Sequence, residues 1–136
     1  MPLREWESSV EADLASVPAV RRVVSDLMAG WGWTGEPLDD ALLVFSELVA
    51  NAVVHGARPG DRITVRVQEL DGDCRIEVVD TRPDLLLATR ATDTAEEGGR
   101  GLLLVRACAT DMAVVTGRGQ KRVWARVRNC SPGEAA

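Results

Sequence analysis

Hydrophobic and polar positions along this 136-residue chain change period several times, and the changes divide it into elements. Residues 3–11 are mixed and fit an edge strand only by weak alternation. From Ser16 the pattern turns helical. Ser16 stands as N-cap, Pro18 falls in the first turn, and Val20, Val23, Val24, Leu27, Met28 and Trp31 recur every three or four residues until Gly30 and Gly32 end the helix. A loop with Gly35 and Pro37 leads into a second helix over roughly residues 38–55, closed by Gly56 and the pair Pro59-Gly60. Ile63, Val65 and Val67 then alternate with Thr64, Arg66 and Gln68, and Cys74, Ile76 and Val78 alternate with Arg75, Glu77 and Val79. Asp71-Gly72 between the two runs makes them a hairpin. Residues 81–97 have a proline, scattered charges and no clean period, and read as a long mobile loop of the kind that compact domains keep for function. Gly98-Gly99-Arg100-Gly101 opens a third helix, Leu102 to about Ala109, and residues 112–116 and 123–128 are two strands joined by a turn at 117–120. The order predicts one α+β domain over residues 1–130, a two-layer sandwich with three helices packed on one face of a mixed, mainly antiparallel sheet. Residues 131–136 read as a disordered tail.

Composition narrows the interior and the partners. With one Phe, no Tyr and four Trp, the core must be filled largely by Val, Leu and Ala. Trp6, Trp31 and Trp33 belong either to that core or to a partner or dimer surface. A formal charge of -5 argues against direct nucleic-acid binding, which needs clustered Lys and Arg, and favours a protein partner or a small ligand. No apolar run approaches the ~20 residues of a membrane span, and acidic residues occupy the place of a signal peptide's apolar stretch, so a cytoplasmic protein is expected. Cys74, Cys108 and Cys130 are odd in number and lack CxxC pairing, which points to neither a disulfide framework nor a zinc site.

Three places carry chemistry. In the second helix, Glu47, Asn51 and His55 are spaced four apart and fan over roughly 80° of one face. That helix is apolar nearly all round, so its few polar groups are at least partly enclosed and need partners. A carboxamide oxygen suits a hard cation and a carboxylate can deprotonate a hydroxyl, although both could equally bond a neighbouring loop. His55 fits a helix C-terminal dipole residue as well as a ligand. Asp80 ends the apolar strand Ile76-Glu77-Val78-Val79-Asp80 just before the long loop, where it can form a turn or accept a hydrogen bond from a bound amine. The glycines at 98, 99 and 101 let backbone approach a ligand closely at a helix start that favours phosphate. Neither a GxGxxG βα turn nor a Gly-Lys-Ser/Thr P-loop is present.

In order and spacing these pieces resemble a known set. Glu47-Leu-Val-Ala-Asn51-Ala-Val-Val-His55-Gly resembles the N-box, Asp80 the start of the G1 box, and Gly98-Gly-Arg-Gly-Leu-Leu-Leu-Val the G2 box of the GHKL ATPase superfamily. Within it the chain is similar to the bacterial anti-sigma-factor serine/threonine kinases, over roughly residues 15–128. The resemblance implies a Bergerat sandwich with ATP and magnesium between the second helix and a lid at 81–97. Asn51 would hold Mg2+, Glu47 would be the general base and Asp80 would read adenine. Gly99 and Gly101 would cradle phosphates within the binding run Gly98, Gly99, Arg100, Gly101 and Leu102. It further implies a sigma factor and a STAS-domain anti-anti-sigma protein as partners, the latter phosphorylated on serine, or else a non-catalytic module that holds nucleotide or partners on the same fold. Two stretches depart from the family pattern. Thr81-Arg82-Pro83 follows Asp80, whereas the family often has glycine or a small residue two positions on, and Arg122 takes the place of a threonine that helps fix the adenine-side network.

Overall fold

The computed structural model describes residues 4–56, 58, 60–81 and 104–129. Its sheet is made of β1 (Arg4–Glu11), β2 (Arg62–Leu70), β3 (Asp73–Asp80), β4 (Asp111–Gly117) and β5 (Gln120–Val127), in the order β1-β2-β3-β5-β4. The weakly patterned start of the chain is indeed an edge strand, pairing Val10 with Ile63 and Trp6 with Val67. Every described pair is antiparallel, so the sheet expected as mixed but mainly antiparallel is antiparallel throughout its described strands. The reason lies in the connections. Tight turns join β2 to β3 and β4 to β5, and such turns can only reverse a strand. Both have two consecutive positive φ angles, Asp71 at 51° with Gly72 at 85° and Arg118 at 52° with Gly119 at 75°, the signature of the two-residue turn whose twist matches a hairpin.

Helix α1 (Val17–Gly30) follows a single 3-10 turn at Leu14–Ser16. The side chain that caps this entry is Asp13, accepting from the Ala15 amide at 3.0 Å, whereas Ser16 already has helical dihedrals and makes no side-chain cap. The 3-10 turn therefore moves the cap three residues upstream of the place the sequence indicates. Helix α2 (Gly35–Asn51) starts three residues before the expected position and passes directly into a π-helical turn, Ala52–Gly56. Residues 104–108 are also helical and bury Val105 completely.

One face of the sheet meets the helices. Ile63, Val65 and Val67 of β2, Cys74, Ile76 and Val78 of β3, and Val123, Ala125 and Val127 of β5 alternate inward and pack with Val24 and Met28 of α1 and with Ala41, Val44, Phe45, Leu48 and Val49 of α2. Trp33 settles between the helices and the sheet, fully buried, with its indole N–H donating to Glu69 Oε2 at 2.8 Å. Trp6 and Trp31 are partly buried against the same core, so of these three tryptophans Trp33 alone is fully interior.

The other face is polar and ordered by charge. Glu77, only 6% exposed, lies under Arg122 (Nε to Oε1, 3.2 Å), Arg75 (3.4 Å) and Arg66 (3.9 Å). Arg66 also reaches Glu5 at 3.3 Å and Glu7 at 3.1 Å, and the Arg75 guanidinium lies 4.6 Å over the ring of Trp124.

Candidate functional site

The second helix carries Glu47 and Asn51 on adjacent turns, as their spacing predicts. Glu47 is half-buried, and Asn51 is buried, with 8% of its surface exposed. Its carbonyl oxygen Oδ1 is inaccessible and has no hydrogen-bond partner among the described residues. Leaving a buried acceptor unmade costs about 1–3 kcal/mol, so its persistence at this position points to a group that completes it. The helix changes character at that residue: the π-helical turn begins at Ala52. The backbone of His55 lies in this turn, while its side chain is outside the described residues, as is the whole predicted phosphate cradle of Gly98, Gly99, Arg100, Gly101 and Leu102 and the lid beyond Thr81.

Across from the helices, Asp80 closes β3 on the inward face, in phase with Cys74, Ile76 and Val78. It is 1% exposed, and so is Lys121, its register partner at the start of β5. The Lys121 ammonium stands 3.4 Å from Asp80 Oδ2. Sequence reasoning missed Lys121. The signal was available in the strand's parity: Lys121 shares a face with Val123, Ala125 and Val127, so a lysine at that position must point inward. The same parity corrects the expectation for Arg122. It projects from the opposite face of the sheet, onto Glu77, and does not enter the surroundings of Asp80.

The described groups fit a magnesium nucleotide. Magnesium takes few protein ligands and completes its shell with water and phosphate oxygens, so one buried carbonyl oxygen in search of a partner suits it. The carboxylate of Asp80 is an acceptor held at a strand end, and Glu47 remains near enough to solvent to exchange a proton. The two-layer α+β architecture, with helices on one face of an antiparallel sheet, is of the ATPase-like class. The family model of the histidine kinase-like ATPase domain matches residues 10–127, and the chain belongs to that family. The resemblance read from the three motifs is thus borne out at the level of family and fold.

Among solved structures, the chain is similar to that of the RsbU and RsbW domains of Rv1364c from Mycobacterium tuberculosis, with a TM-score of 0.71 and 22% identity. The match covers 97% of this chain and 34% of the other, so the chain spans about a third of the mycobacterial one. It is also similar to the SiaB-SiaC complex from Pseudomonas aeruginosa, with a TM-score of 0.63 and 14% identity over 91% of this chain and 90% of that one. At such identities both likenesses speak for the fold. No curated protein matches the chain. Among the described residues no helix is long and apolar enough to cross a membrane.

Proposed function

We propose that residues 1–130 form one ATP-binding regulatory domain, an anti-sigma factor that phosphorylates a serine of a STAS-type anti-anti-sigma protein and works in the cytoplasm. The observation that carries the nucleotide reading is the buried, unpartnered Oδ1 of Asn51, one turn beyond Glu47 on the second helix of a histidine kinase-like ATPase fold. The partner reading is supported by the RsbW domain and the SiaB-SiaC complex among the structural neighbours.

Each residue then has a task set by its chemistry. Asn51 offers its carbonyl oxygen to the divalent cation. Glu47 accepts the proton of the serine hydroxyl that attacks, and its partial exposure gives that proton a way out to water. Asp80 accepts a hydrogen bond from the exocyclic amine of adenine. When bound, magnesium and the triphosphate supply the phosphoryl group and the neutralisation of its charge. For the residues of this chain the work is positioning and electrostatics, with no covalent intermediate on the protein.

Calorimetric titration with ATP, with and without magnesium, followed by transfer of the labelled terminal phosphate to a STAS-type protein, tests the proposal. Magnesium-dependent binding and serine labelling are the expected results. Binding without transfer to any STAS-type protein would turn the reading into the non-catalytic module, and absence of binding would end it.

A further inference from the structure

Every inward position of β3 and β5 is apolar except the last pair. Cys74, Ile76 and Val78 on one strand and Val123, Ala125 and Val127 on the other continue the core, and then Asp80 and Lys121 place a carboxylate and an ammonium opposite each other, both about 1% exposed and 3.4 Å apart. The fold does not require this. Two apolar residues of similar volume at such a position are commonly as stabilising as a buried ion pair or more so, because the pair must recover the desolvation of both charges. A charged pair retained at the one end of two core strands where the candidate site lies is therefore better explained by what it recognises than by what it holds together.

Its chemistry is specific. An ammonium has three donors and a carboxylate about four acceptor positions, so the two can serve each other and a third group at once. Within 3.4 Å of each other, the enclosed pair carries a donor on one residue and an acceptor on the other. A 6-aminopurine presents the complement along one edge: the amine hydrogens at N6, which donate, beside the ring nitrogen N1, which accepts. We infer that Lys121 is a specificity-determining residue of the base site, donating to N1 of the purine while Asp80 accepts from its amine. The inference rests on the proposed nucleotide site and deepens it, by assigning the base-reading edge to two residues rather than one. No covalent step is involved.

The test is on the ligand side first, so that it does not depend on a variant that fails to fold. ATP and 1-deaza-ATP, which keeps the amine and replaces N1 by a carbon, are titrated into the full chain with magnesium, and the same pair is titrated into Lys121→Met after its melting curve has been recorded. Loss of a hydrogen bond from a charged donor is expected to weaken 1-deaza-ATP by about tenfold or more against the wild-type chain. In Lys121→Met the two nucleotides should bind within about twofold of each other. Equal affinity of the two nucleotides for the wild-type chain would overturn the role of Lys121 whether or not the variant folds, and so would a preference for ATP that survives in Lys121→Met. Either result leaves ATP binding, and with it the proposed nucleotide site, standing. Failure of both nucleotides to bind the wild-type chain would remove the nucleotide site and this inference together.

Discussion

Asn51 and Glu47 differ in what they would lose on substitution, although four residues separate them on one helix. The amide oxygen of Asn51 is enclosed and its task is to hold a cation, so Asn51→Ala should weaken nucleotide binding in the presence of magnesium by tenfold or more while binding without the metal changes little. Equal magnesium dependence in variant and wild type, read by calorimetry, would contradict the assignment. Glu47 is assigned to the proton and not to the nucleotide. Glu47→Gln should therefore keep the affinity for ATP and lower phosphate transfer by about 100-fold or more. A transfer rate unchanged in that variant would take the base role away. The thiol of Cys74 offers a third check at this scale. Burial in the core, and secondarily the nearby Glu69 and Asp73, push its pKa from 9.0 up to about 12. The unfolded chain releases this proton near the ordinary value and the folded chain keeps it, so the thiol's contribution is complete below pH 9 and is lost as pH rises toward 12, at up to about 1.4 kcal/mol per pH unit. Melting temperatures of the wild type and Cys74→Ala measured between pH 8 and 11 should converge over that window.

At the scale of elements, turns were more legible than ends. Asp71-Gly72 announced a hairpin because a two-residue turn with both φ angles positive has few sequence solutions. A Cβ added to Gly72 would meet nothing within 4 Å, so the cost of Gly72→Ala is purely that of the left-handed backbone, roughly 1–2 kcal/mol. Gly30, equally open but without a positive φ, should accept alanine without loss. Urea midpoints of the two variants would separate the cases, and a Gly72→Ala variant as stable as the wild type would refute the backbone argument. The start of α1 was misread since a serine before a helical run looks like a cap, and nothing local distinguishes it from the last residue of a 3-10 turn capped by Asp13. The π-helical turn after Asn51 had no signature in the periodicity, for one extra residue in a turn shifts an apolar pattern less than ordinary scatter does. Of the candidate site, Glu47, Asn51 and Asp80 were singled out in the sequence because polar groups stand out in apolar elements. Lys121 was passed over because the strand was read for its apolar members alone.

For the molecule as a whole, the two faces of the sheet follow different rules. Helices cover the inner face with apolar side chains, whereas the outer face is covered by its own charges, with Glu77 beneath three arginines. Removing that one negative charge leaves Arg66, Arg75 and Arg122 facing each other. Glu77→Gln should cost roughly 1–3 kcal/mol, nearer the lower figure because each arginine is more than a third exposed or close to it. Added salt should shrink the deficit by screening the arginines from one another. Denaturant titrations at low and high ionic strength would show this, and a deficit that grows with salt would contradict it.

The opposed charges of Asp80 and Lys121 also constrain how such a chain can vary over time. Exchanging either alone strands a buried ion, a penalty of about 3–5 kcal/mol out of a total that is typically 5–15 kcal/mol for a protein. Drift at these two positions is therefore barred one step at a time and open two steps at once, so descendants of this sequence should keep both residues or replace both.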